Sequence, residues 1–161
     1  MYAVTAVAAS ALATACPATH VHLESLPRSG DLSNMAWVQA KPHRAGIVGV
    51  LFGSDREFLD VPEPVFTLYT RGMSPHGHAT KVLWIIRNRG ASAFVTLRAT
   101  RLDAAGSFRE RFRIVDDASP HPAQGREYAS IIDLPAAGCW RLTVSSGRRV
   151  RGTLVVRAVA S

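Results

Sequence analysis

The sequence predicts an all-β protein, an antiparallel sandwich of two sheets. Three observations point there. Short apolar runs recur between turn signals from residue 46 to the end. The segment from Phe108 to Ile114 alternates strictly, with Phe108, Phe112 and Ile114 on one side and Arg109, Arg111 and Arg113 on the other. No window after the first 16 residues supports a long amphipathic helix. At 161 residues the chain is the size of one domain with a tail.

The elements follow in order. Gly46 to Phe52 is an apolar run closed by Gly53-Ser54-Asp55, and Val65 to Tyr69 is a second run after Pro62 and Pro64. Thr80 to Arg87, TKVLWIIR, is apolar on both faces, as in a central strand covered on both sides. Phe94 to Leu102 alternates, with Val95, Leu97 and Ala99 on one face, and Asp103 to Ser107 is a turn. The alternating strand from Phe108 comes next. Tyr128 to Leu134 is stopped by Pro135. Gly138 to Val144 and Val150 to Val159 flank Ser145-Ser146-Gly147-Arg148, a hairpin signal. Seven or eight strands at this spacing need two sheets, because one sheet alone would leave its apolar face in water. Trp84 and Trp140 are expected to fill the space between them. Trp37 has no place in this scheme.

The stretch from Pro135 to Val144 is similar to the start of the closing hairpin in bacterial extracytoplasmic immunoglobulin-like domains. There a Pro/Gly turn precedes an aromatic, alternating apolar residues, a polar turn and a final Val-rich strand. The resemblance implies an immunoglobulin-like sandwich and specifies a fold far better than a function.

Residues 3–15, AVTAVAASALATA, carry no charge and are mostly small and apolar. They are too few to span a bilayer but match the apolar core of a signal peptide. Ala13 and Ala15 occupy the small-residue positions of a cleavage site before Cys16. The junction Leu12-Ala13-Thr14-Ala15-Cys16 resembles a bacterial lipobox, although Leu12 is one position early and no Lys or Arg follows Met1. The resemblance implies an acylated Cys16 as the first mature residue, with Cys139 a free buried thiol. The other exported reading pairs Cys16 with Cys139 in a disulfide. The expected organisation is a signal peptide over 1–15, a tether and irregular lead-in over 16–45 and the sandwich over 46–161. The expected place is outside the cytoplasm, on a lipid anchor or secreted.

Charge is uneven. Residues 1–70 hold four basic and six acidic side chains, and residues 71–161 hold fifteen and six. Seventeen of the nineteen cations are arginine. Beside so much Ala, Val and Gly, this reads as GC-rich coding bias. The arginines do not interleave with aromatics, so no nucleic-acid partner is expected. Arg109, Arg111 and Arg113 should form a solvated stripe.

Chemistry-bearing motifs are few. There is no P-loop, GxGxxG before a helix, HExxH, CxxC or GxSxG. The two cysteines are too few for a four-cysteine zinc module. His20-Val21-His22 and His76-Gly77-His78 each could present two imidazoles to one ion, and Met73 could add a soft ligand to the second pair. His76 and His78 are therefore the candidate metal residues, with zinc or copper as the ion. Ser74 beside His76, the Asp116-Asp117 pair and Cys139 lack the surroundings of a triad, a glycosidase pair or a reactive thiol. The expectation is no catalysis and no cofactor: a binding or accessory module with an unknown protein or cell-envelope partner, and a metal-binding protein as the alternative. The loops at 73–78 and 116–126 are the expected contact points.

Overall fold

A computed structural model describes residues 15–28, 32–52, 54–115 and 125–161. Nine strands are present among them: β1 (Trp37–Gln39), β2 (Ile47–Phe52), β3 (Thr67–Tyr69), β4 (Lys81–Ile86), β5 (Phe94–Arg101), β6 (Ser107–Arg113), β7 (Arg126–Ile131), β8 (Gly138–Ser146) and β9 (Val150–Val159). They form a four-stranded sheet ordered β1-β2-β4-β7 and a five-stranded sheet ordered β3-β9-β8-β5-β6. The two sheets make the expected sandwich. Pairing is antiparallel throughout except between β3 and β9, which run parallel.

The core lies between the sheets and follows the alternation read from the sequence. Val95, Leu97 and Ala99 of β5, Trp140, Leu142 and Val144 of β8, and Leu154, Val156 and Ala158 of β9 face Ile47, Leu51, Val82, Trp84, Ile86 and Tyr128 of the other sheet. Trp84 and Trp140 are essentially fully buried. Burial obliges each indole N–H to find an acceptor. Trp84 Nε1 donates to Ser130 Oγ at 2.9 Å, and Ser130 Oγ donates to the Val82 carbonyl at 3.0 Å. Trp140 Nε1 donates to the Ala136 carbonyl at 2.9 Å, and Phe108 of β6 meets the Trp140 ring edge-on.

The stretch expected as a tether is part of the domain. β1 extends the first sheet, and Leu26, Trp37, Val48, Val50 and Ile85 form a second apolar cluster, with Leu32 and Met35 packed against it. This cluster covers the outer face of β2 and β4, which is why both strands are apolar on both sides. Trp37 finds its place here, with Nε1 donating to the Glu24 carbonyl at 2.9 Å and its ring stacked on His22 at 4.1 Å. The crossing of this segment from one sheet to the other depends on Gly152. A Cβ at Gly152 would meet the Ala40 Cβ at 2.8 Å, inside any real contact, while Lys41 exchanges backbone hydrogen bonds with Thr153.

Two short helical turns were not legible in the sequence. A 3-10 turn spans His43–Ala45, and α1 spans Arg56–Leu59. The second docks on β3 through Phe58 against Tyr69 and through the Tyr69 hydroxyl, which donates to Glu57 at 2.5 Å.

One inward position of β6 is not apolar. Glu110 is half-buried, and its Oε2 has no hydrogen-bond partner. Burial, and next the Asp133 carboxylate, raise its carboxyl above the ordinary value of 4.5. The folded state therefore holds this proton more firmly than the unfolded chain, and stability falls as pH rises through the window above 4.5. Glu110→Gln should raise the melting temperature at neutral pH and change it little at pH values below that window, as followed by calorimetry. Trp140→Ala should cost about 3–5 kcal/mol in a urea melt, as for other truncations of large core aromatics.

Candidate functional site

The structure brings Cys16 to Cys139. The two form a disulfide with Cα atoms 5.4 Å apart, across a sequence separation of 123. Cys139 stands on β8 on the side facing away from the core, and the segment beginning at Cys16 lies on the edge of β9. Thr19 N–H donates to the Val155 carbonyl, and Val155 N–H donates to Thr19 Oγ1, each at 2.8 Å. Asp103 fixes the other half of the bridge. Its carboxylate accepts from Arg101 Nε at 2.7 Å and from the Cys139 N–H at 3.1 Å. The Arg101 guanidinium, more than the Cys139 N–H, holds that carboxyl below its usual range.

This pairing is the disulfide alternative to the expected lipid anchor at Cys16. A sulfur held in a disulfide carries no thioether, and Cys139 is not the free thiol that the anchor implied. Among the described residues there is no free cysteine. The expected signal segment, apart from Ala15, lies outside the described residues, as do the Asp116-Asp117 pair and most of the 116–126 loop.

The loop holding His76 and His78 is a tight turn organised by Ser74. Met73 and Ala79 form an isolated bridge at its base. Ser74 is buried, and its Oγ accepts the backbone N–H groups of His76 and His78 at 3.3 and 3.2 Å. Ser74 is thus a brace for the turn, with its hydroxyl engaged by the backbone. His76 and His78 are exposed at the tip. Among the described residues, no three His, Cys, Asp or Glu side chains converge on a point that could hold a metal.

The other pair, His20 and His22, sits with its rings 5.3 Å apart, edge to face. His22 is engaged twice, stacked on Trp37 and hydrogen-bonded through Nδ1 to Glu24 Oε1 at 2.7 Å. A cleft opens here between the N-terminal segment and β9. Its lining includes His20, His22, Lys41, His43 and Arg141 and contains no carboxylate.

That cleft is one margin of a larger feature, the outer face of the five-stranded sheet. The outward positions of β5, β6, β8 and β9 are occupied by seven arginines: Arg98, Arg109, Arg111, Arg113, Arg141, Arg151 and Arg157. All seven are exposed. No Asp or Glu shares the face on these four strands. The two ion pairs among the described residues, His22–Glu24 and Arg101–Asp103, involve none of the seven.

The register sets these side chains in rows. One row across the sheet reads Arg109, Arg98, Thr143, Thr153, and the next reads Arg111, Thr96, Ser145, Arg151. A third reads Ser107, Thr100, Arg141, Val155. Guanidinium groups and hydroxyls therefore intermingle over the whole surface. A groove between the rows is lined by Thr96, Arg98, Arg109, Ser145, Arg148 and Arg151 among others. The stripe on β6 was legible from its period. The face as a whole was not, because it is assembled from four strands whose register only the fold sets.

Comparison of the chain with protein-family models, with curated proteins and with solved structures gave no match.

Proposed function

We propose that this chain is an exported, disulfide-closed binding module, a non-enzymatic domain that works at or beyond the cell envelope without a lipid anchor. The observation that carries the reading is the Cys16–Cys139 bridge, placed directly after the Ala13-Thr14-Ala15 junction. Disulfides persist in oxidising compartments and are rare in the cytosol. A cut before Cys16 would leave a mature chain whose first residue is already tied to the sheet. The bridge gives that new terminus a structural task, which fits removal of the segment before it.

An immunoglobulin-like identity for the sandwich is supported by strand order. β5-β8-β9 and β4-β7 repeat the C-F-G and B-E neighbourhoods of that fold. Such a scaffold holds its surfaces rigid, which suits recognition. A broad flat sheet face serves a large partner better than a small substrate.

Expression of the full chain in an exporting bacterial host, followed by intact-mass measurement without reductant, tests the reading. The expected species begins at Cys16, gains two hydrogens on reduction and carries no acyl mass. An unprocessed chain with both thiols free contradicts export, and an acylated Cys16 contradicts the disulfide. The bridge should also matter to stability. Cys139→Ser should lower it by about 2–5 kcal/mol in a denaturant melt, because a link across so long a loop restricts the unfolded chain strongly.

A further inference from the structure

We infer that the outer face of the five-stranded sheet is a docking surface for a linear anionic glycan, a polysaccharide bearing sulfate, phosphate or carboxylate groups. The positive charge of the face stands without the export reading, whereas the choice of a glycan as its occupant rests on it.

The face bears a repulsive cost with no counter-charge on its four strands. Arg98 and Arg109 are directly opposite each other on β5 and β6. Like charges at that position destabilise a strand pair. A nearby carboxylate would relieve the repulsion, and the face has none on these four strands. Local rules are broken in this way mainly where function requires it. The repulsion is relieved once an anion lies between the two guanidinium groups.

Arginine presents a planar fork of donors that matches sulfate, phosphate and carboxylate oxygens. Between the arginines stand Thr96, Thr100, Thr143, Ser145 and Thr153; the Ser145 and Thr153 hydroxyls donate to the Thr96 and Lys41 carbonyls and keep their acceptor capacity, and a threonine hydroxyl can both donate and accept. A sugar chain offers anionic groups and neutral hydroxyls in alternation, and this surface offers a partner for each. Four strands at about 4.8 Å spacing carry the rows over roughly 14 Å, room for several sugar units.

Other polyanions suit this face less well. Single-stranded nucleic acid needs exposed aromatic rings on which bases stack. The one aromatic on the face, Phe94, is covered by the Arg111 guanidinium at 3.9 Å from its centroid. Reading duplex DNA through its major groove calls for a helix or two-stranded ribbon that enters it, and a broad sheet face does not. Insertion into a lipid surface calls for protruding apolar side chains beside the cations. Of the exposed large apolar side chains only Phe94 stands at an outward position of these strands, and its ring lies under the Arg111 guanidinium; Leu23, Val61, Met73, Leu102, Val115 and Ile131 lie elsewhere.

The test uses the full mature domain and heparin as the anionic glycan, with neutral dextran, duplex DNA and phosphatidylglycerol vesicles as comparison ligands. Two variants remove equal charge. Arg98→Gln/Arg109→Gln/Arg111→Gln strips the face, and Arg56→Gln/Arg71→Gln/Arg126→Gln takes exposed arginines from outside it. Heparin should bind the parent and the second variant alike, and the first variant at least about tenfold more weakly, with binding lost as salt is raised. All six positions are solvent-exposed, so both variants should keep the parent's melting temperature or exceed it. An equal loss in both variants would reduce the effect to net charge and overturn the proposal. So would tighter binding to DNA or vesicles than to heparin, or no heparin binding at low salt. None of these outcomes depends on where the chain is processed, so failure here leaves the mass measurement on Cys16 to be judged separately.

Discussion

A guanidinium cannot be left between two packed sheets without a partner, and this exclusion organises the molecule. Burial of an unpaired charge costs far more than any single contact returns. Side chains of a strand alternate sides, so keeping Phe108 and Phe112 on the inside forces Arg109, Arg111 and Arg113 outward. The same rule acts on β5, β8 and β9, where Leu97, Leu142 and Leu154 are buried and Arg98, Arg141 and Arg151 are exposed. The core and the cationic face are therefore two readings of one alternation. Sliding any of these strands by one residue would exchange them, which pins the register firmly.

The β9 edge shows how the amino-terminal segment earns its place in the fold. An unpaired edge invites association with other chains. Here it is covered piece by piece: Lys41 pairs with Thr153, Thr19 with Val155, and β3 runs beside Arg157 to Val159. The disulfide holds the first of the covering segments at its very start. The segment that follows Cys16 thereby contributes His20 and His22 to the margin of the arginine face, next to Arg141.

Most of the sandwich was legible because strands announce themselves through period and punctuation. The eight expected strands fall close to β2 through β9, and Trp84 and Trp140 are buried. β1 was not legible, since three residues inside a Pro-rich polar stretch carry no period, and its apolar role depends on a cluster on the far side of the sheet. The lipid anchor expected at Cys16 rested on a different kind of signal. Lipid attachment and disulfide pairing are both compatible with a cut before this residue, and the local sequence does not show its closeness to Cys139. The arginine face was hidden by composition. Residue counts treat seventeen arginines as a bias, while the face depends on which of them share a side across four strands.

The outward, uncompensated placement of these arginines is the centre of the account, and chemical footprinting with phenylglyoxal tests it most directly. Peptide mapping after brief treatment of the folded domain should show Arg98, Arg109, Arg141 and Arg151 modified rapidly. Arg87, half-buried and donating to the Pro27 carbonyl, is the internal standard and should react slowly. If the four react as slowly as Arg87, they are buried or paired, and the faces of the sheet are assigned the wrong way round.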